Sequence, residues 1–335
     1  MQYRKLGKTG IHVSAIAIGA MTYGTEVNES MGIKLIQAAL DTGINFFDTA
    51  DRYPGSEEII SKAVKGRRDT AIIGTKIGSP AGRGLTVDVD PNTGGLSRKH
   101  IIQQVEGSLK RLNSDYIDLL YCHFPDYDVP IEDTLNTLND LVQQGKLRYI
   151  GCSNFTAWEL AKALGISERY NLARFQCIQS PYNLLTRDIE WELVGLCESE
   201  KVSLSVYNPL AGEMLTGRHE FGKPPAEGRF TMGDIGERYM ERYWSEMNFK
   251  AVDEFKKLAK KHGCTLPQFA IAWILNNPTI TSVLSGLTTM EQLKENAAAV
   301  DIILTDEEIK VCDDVWAMFR PPRYFYARDM RIRFD

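Results

Sequence analysis

Short apolar runs alternate with amphipathic stretches along almost the whole chain. Runs of the type buried on both faces of a parallel sheet occur at residues 15–19, 44–47, 71–75 and 117–121, then at 148–152, 174–178, 203–206 and 281–284. Between them fall helical patterns at 29–41, 56–64, 97–112, 131–144, 156–166 and 188–200, then 249–262 with 266–276, and 289–298. In the third pattern Ile101, Val105, Leu109 and Leu112 recur at helical spacing. Thr156 with Glu159 three residues on reads as a capping box, and Gly43 and Gly145 stand where helices end.

Eight runs alternating with eight helical segments predict an α/β chain closed into a (β/α)8 TIM barrel. A doubly wound sheet rarely needs so many units, and no G-x-G-x-x-G follows the first run, which ends Gly19-Ala20-Met21-Thr22-Tyr23-Gly24. Residues 3–13 form an N-terminal β-hairpin pattern around Gly7-Lys8-Thr9-Gly10, placed to plug the barrel. No Pro/Ser-rich linker divides residues 1–335, so a single domain is expected. Three stretches are longer than connections require: 77–96, the long loop 208–247 and the C-terminal tail 318–335. The first two follow barrel strands and are expected to rise from the C-terminal face as substrate loops.

Composition narrows the function. A net charge of −5 gives no electrostatic footprint for a nucleic-acid partner. No apolar run reaches the roughly 18 residues of a membrane span, and the N-terminal residues lack a secretory pattern. The cysteines (Cys122, Cys152, Cys177, Cys197, Cys264, Cys312) are scattered, several inside apolar runs, which fits a cytoplasmic location. The histidines are far apart, and no metal is expected.

If the barrel closes, the residues ending its strands share one mouth. The second strand delivers Asp48, the third Lys76 and the fourth His123, while Tyr53 arrives on the loop after the second. Singly each has a plain reading: a helix cap, a surface charge, a core histidine. Together they have a chemical logic. A lysine at a buried strand end requires a carboxylate partner, and Asp48 is the obvious one. An ammonium beside a phenol is expected to lower the tyrosine's pKa toward a working range, with His123 hydrogen-bonding a carbonyl oxygen.

On these residues the sequence resembles the aldo-keto reductase superfamily over nearly its whole length. The motifs are Asp48-Thr49-Ala50 with Tyr53-x-Gly55-x-x-Glu58, the strand-end Lys76, and His123-Phe124-Pro125-Asp126. They continue with Gly151-x-Ser153-Asn154-Phe155, Gln179-x-Pro181-Tyr182-Asn183 and Gln292-Leu293-x-Glu295-Asn296. The resemblance implies a nicotinamide-dependent oxidoreductase interconverting carbonyl compounds and alcohols, with sugars or polyols among the candidate substrates. Asp48, Tyr53, Lys76 and His123 would be its catalytic tetrad, and Tyr53 the general acid. It implies cofactor contacts from Thr22, from Ser153, Asn154 and Gln179 on the carboxamide, and from Tyr207 stacked on the nicotinamide. Pro209, Leu210, Gly212, Leu215, Gly217 and Arg218 match the pyrophosphate loop, and Gly286, Gln292 and Asn296 the adenosine end.

Superfamily members usually use NADP(H) and carry a cation for the 2′-phosphate. Here Thr288 stands where arginine is common, which makes NAD(H) a credible alternative, with Arg218 and Lys294 as substitute cations. The tail mixes arginines with aromatics between Phe319 and Arg328. It has three readings: a cover for the substrate mouth, a docking element for a second copy in a homo-oligomer, or a tail packed on its own barrel. The superfamily also contains potassium-channel β-subunits. A nicotinamide-binding regulatory subunit with little turnover is therefore the alternative function.

Overall fold

The computed structural model describes residues 1–79 and 92–319. A two-stranded antiparallel hairpin, β1 (Tyr3–Lys5) and β2 (His12–Ser14), opens the chain. The barrel strands are β3 (Ile16–Gly19), β4 (Phe46–Asp48), β5 (Ile72–Ile77), β6 (Ile117–Cys122), β7 (Leu147–Ser153), β8 (Phe175–Pro181), β9 (Ser203–Tyr207) and β10 (Ile280–Ser285). All pair in parallel, and β10 closes on β3. The expected (β/α)8 barrel is therefore the fold, with each strand on its predicted run.

The helices are α1 (Glu29–Asp41), α2 (Ser56–Ala63), α3 (Arg98–Leu112), α4 (Ile131–Gln143), α5 (Ala157–Tyr170) and α6 (Leu193–Glu200). They continue as α7 (Gly233–Tyr243), α8 (Glu246–His262), α9 (Leu266–Asn276), α10 (Met290–Ala298) and α11 (Asp306–Ala317). Their ends follow local chemistry. The Glu159 carboxylate accepts the Thr156 N–H at 2.7 Å to start α5. Gly43 and Gly145 take positive φ just past α1 and α4, a conformation that costs glycine nothing.

Strand residues alternate between two cores because the side-chain period is two. Outward-facing Ile18, Phe47, Ile73 and Leu120 pack beneath the helices. Inward-facing Ala17, Phe46, Leu119, Tyr121, Cys177 and Leu284 fill the barrel, where Leu6 and Val13 of the hairpin join them. The hairpin closes the N-terminal end: Gly7 N–H donates to Ser203 Oγ at 2.7 Å and Lys8 N–H to Gln176 Oε1 at 3.0 Å. Gly7 has φ +55, and a Cβ there would lie 2.5 Å from the Gln176 carbonyl oxygen. The bottom of the barrel is sealed, so access is from the C-terminal face.

Three segments differ from expectation. The 208–247 stretch is not only a loop, since it holds α7; Ile235, Tyr239 and Tyr243 recur there at helical spacing. The single helix expected at 188–200 begins as a 3-10 turn, Asp188–Glu190, before α6. Helix α11 was not expected, although Thr305 and Glu308 form a capping box at its start. Most of the tail, and the middle of the 77–96 segment, lie outside the described residues. No helix among the described residues is long and apolar enough to cross a membrane.

Candidate active site

Parallel strands ending at one rim bring distant residues together. Asp48 ends β4 and lies in register with Gly74, two residues before Lys76 on the neighbouring strand β5. The Lys76 side chain therefore reaches back, and its Nζ forms an ion pair with Asp48 Oδ1 and donates to the Thr49 carbonyl at 2.9 Å. Both residues are buried, at 2% and 3% exposure. The other carboxylate oxygen, Asp48 Oδ2, accepts from Gln179 Nε2 at 2.7 Å. Burial pushes Asp48 up from the ordinary carboxylate value and Lys76 down from the ordinary amine value, each opposed by the other's charge.

Tyr53 lies beside this pair. Lys76 Nζ stands 5.1 Å from the centre of the Tyr53 ring, and the Tyr53 and His123 rings meet edge-on with centroids 6.0 Å apart. The expectation that Lys76 lowers the Tyr53 pKa does not hold. Burial, followed by the negative charges of Asp48 and Asp51, holds the phenol well above its ordinary value. The ammonium is already committed to Asp48 and the Thr49 carbonyl, so it cannot offset the desolvation of a phenolate. Tyr53 is fixed in its protonated, donor form.

His123 follows β6. Burial, then the charges of Lys76 and Arg52, lower its pKa to about 3, which leaves a neutral imidazole at ordinary pH. Its Nδ1 lies 3.2 Å from Ser79 Oγ, and its ring stacks on Phe124 at 4.7 Å. A neutral imidazole, a protonated phenol and a fixed ion pair can together polarise a carbonyl and protonate the oxygen that forms, the imidazole through Nε2–H when Nδ1 accepts from Ser79.

Ser153, Asn154, Gln179 and Tyr207 form a connected hydrogen-bonded set that joins this group through Gln179–Asp48 and Asn154–His123. Tyr207 O–H donates to Asn154 Oδ1 at 2.7 Å, and Asn154 Nδ2 donates to the His123 carbonyl at 2.9 Å and to Ser153 Oγ at 3.1 Å. Ser153 Oγ–H donates to the Gln179 carbonyl at 3.0 Å. Thr22, after β3, carries a buried hydroxyl with no partner among the described residues.

The segment after β9 is shaped by positive φ at Asn208, Ala211, Gly212, Glu213 and Gly217. Asn183 braces it, with Nδ2 donating to the Asn208 carbonyl at 3.0 Å, and Asn208 Oδ1 accepts the Gly212 N–H at 2.7 Å. Pro209 and Leu210 lie in the turn that Asn208 opens, and Leu215 is buried in the 3-10 turn that Gly217 ends. Arg218 is paired with Glu213. Gln292 and Asn296 stand on α10 in a separate group. Gln292 Oε1 accepts the Thr288 N–H at 2.8 Å, and Asn296 Nδ2 donates to Ser285 Oγ at 2.7 Å. Gly286 faces open space.

Sequence reasoning missed the Gln179–Asp48 contact, Ser79, Asp51 and Tyr239. Asp51 N–H donates to the Lys76 carbonyl at 2.9 Å. Burial and the nearby Glu57 push its carboxyl up to about 7. Tyr239, on α7, lies against Gly212, and the helical spacing around it was the available signal. Nothing local marks the others, because each contact joins separate strands or loops.

The aldo/keto reductase family model matches residues 15–317. The chain is 37% identical over 319 residues to a protein of Arabidopsis thaliana named a probable voltage-gated potassium channel subunit beta, covering 90% of this chain and 92% of that one. A protein of the same name from Oryza sativa subsp. japonica is 36% identical over 318 residues, covering 92% and 94%. A putative voltage-gated potassium channel subunit beta of Schizosaccharomyces pombe is 36% identical over 336 residues, covering 97% and 96%. The chain belongs to the aldo/keto reductase family.

Proposed function

We propose that this aldo-keto reductase is a nicotinamide-dependent oxidoreductase that interconverts an aldehyde or ketone and an alcohol. One observation carries the reading: Tyr53, His123 and the Asp48–Lys76 pair converge at one end of a barrel whose other end the hairpin fills. The residues fit the cofactor. Ser153, Asn154 and Gln179 offer amide and hydroxyl groups for a carboxamide, Tyr207 offers a ring, and the unpartnered Thr22 hydroxyl and the open space at Gly286 are suited to a ligand. The cofactor when bound supplies the hydride. His123 and Tyr53 hold the carbonyl oxygen, Tyr53 gives it a proton, and Lys76 and Asp48 fix the field around them.

The adenosine end favours no strict demand for a 2′-phosphate. Thr288 and Gln292 are neutral and bonded to each other, Arg218 is paired with Glu213 at the surface, and Lys294 stands exposed on α10. NAD(H) and NADP(H) should therefore both bind. The test is fluorescence titration with NADH and NADPH, followed by steady-state rates on a panel of aldehydes, ketones and polyols with the tighter nucleotide. Saturable binding with turnover supports the reading, and absence of binding to both nucleotides overturns it.

The names of the three relatives favour a second reading, a nicotinamide-binding subunit of potassium-channel β type that acts through a partner. Tight nucleotide binding with negligible turnover across the whole panel would select it.

A further inference from the structure

The Asn154 amide makes three side-chain hydrogen bonds within the candidate site. Its backbone takes φ 62, the left-handed conformation that asparagine adopts more readily than other non-glycine residues. Its N–H donates to the Gln179 carbonyl at 3.0 Å. The side chain has three partners, and their chemistry fixes which end is which. The His123 carbonyl can only accept. Ser153 Oγ spends its proton on the Gln179 carbonyl and so accepts as well. Both must face Nδ2. The remaining partner, the Tyr207 hydroxyl, must then donate to Oδ1.

This leaves an asymmetry. Both Nδ2 protons are used, whereas Oδ1 keeps a lone pair, so the group Asn154 offers to a ligand is an acceptor. Among the described residues the Tyr207 hydroxyl is the partner on the Oδ1 side, and without it the His123 and Ser153 contacts are those left to resist rotation of the amide. Tyr207 is tied in turn by its backbone carbonyl, which accepts the Tyr182 N–H at 3.2 Å, and by its register with Pro181.

We propose that the Tyr207 hydroxyl is a positioning group, distinct from its ring, that locks Asn154 as a hydrogen-bond acceptor and so makes the site select a nicotinamide ring bearing a primary carboxamide. The inference rests on the nicotinamide reading above. It assigns Tyr207→Phe a specific defect, a loss of discrimination between ligands that carry an N–H donor at that position and ligands that do not.

The probes are NADH and reduced 3-acetylpyridine adenine dinucleotide, in which a methyl group replaces the amide nitrogen. Dissociation constants are measured by quenching of protein fluorescence on the full chain. The wild type should prefer NADH by about tenfold, the worth of one well-made buried hydrogen bond. Tyr207→Phe, which keeps the ring, should reduce that preference to about threefold or less, mainly by weakening NADH. Asn154→Ala should do the same, which covers the case of a poorly folded Tyr207→Phe; thermal melts identify that case. If Tyr207→Phe keeps the full preference, or weakens both dinucleotides equally, the positioning role is wrong. A wild type that binds both equally overturns it too. A wild type that binds neither these nor NADPH overturns the nicotinamide reading itself.

Discussion

Gln179 Nε2 donates to Asp48 Oδ2 at 2.7 Å, on the oxygen that Lys76 does not hold. A residue expected to touch only the cofactor is thus also part of what keeps a buried carboxylate satisfied. Gln179→Leu leaves Asp48 Oδ2 without a partner and should cost about 1–3 kcal/mol of stability. Urea denaturation of the two proteins measures it; an unchanged midpoint would remove this role.

Lys76→Met strands the Asp48 charge where water cannot reach it. It should destabilise the chain by about 3–5 kcal/mol, whereas adding Asp48→Asn should recover much of the loss. Denaturant unfolding of the two single variants and the double variant forms the test. Additive losses would show that the two side chains are not coupled.

Tyr53→Phe keeps the ring beside Lys76 and His123 but deletes the proton. Carbonyl reduction should fall about 10²–10⁴-fold with nucleotide affinity nearly unchanged. Single-turnover rates alongside fluorescence titration separate the two effects, and a near-normal kcat would take the general-acid role away from Tyr53.

His123 is neutral in the folded chain down to about 3, against 6.5 when unfolded. Between those values the unfolded chain binds the extra proton, so stability is present above about 6.5 and is lost as pH falls through that window. The Tyr53 phenol, held above its ordinary value, stays protonated across the neutral range. Neither His123 nor Tyr53 should therefore give a limb in kcat/KM for the carbonyl substrate between pH 5 and 8, and a limb near 7 that survives in His123→Asn belongs to Asp51. A clear limb near 6.5 that disappears in His123→Asn would contradict the neutral imidazole.

Leu6 fills the sealed end of the barrel with Phe46, Leu119 and Cys177. Leu6→Ala should cost about 2–5 kcal/mol while leaving catalytic constants near wild type at temperatures where the chain is folded. Thermal melts and steady-state kinetics check it; a large drop in kcat with an unchanged melt would mean the plug also shapes the mouth.

The order of elements was legible because burial on both faces of a strand, and on one face of a helix, writes a period into the sequence. The eight runs, the caps at Thr156, Gly43 and Gly145, and the strand-end positions of Asp48, Lys76 and His123 are all local facts. Helix α7 was obscured by the Gly and Pro residues before it, whereas α11 carried a signal that sequence reasoning missed, the Thr305–Glu308 capping box with Ile309, Cys312 and Val315 at helical spacing. Tertiary structure alone decided how the strand-end groups act on one another. Whether Lys76 lowers the Tyr53 pKa depends on what else the ammonium touches, and Asp48 and the Thr49 carbonyl had already claimed it. Likewise Gln179 reaches Asp48 because the barrel curves β8 round to face β4, and Tyr207 meets Asn154 because β7, β8 and β9 pair side by side. Spacing along a chain places a side chain at a rim, but hydrogen bonding and desolvation are settled by neighbours that come from other strands.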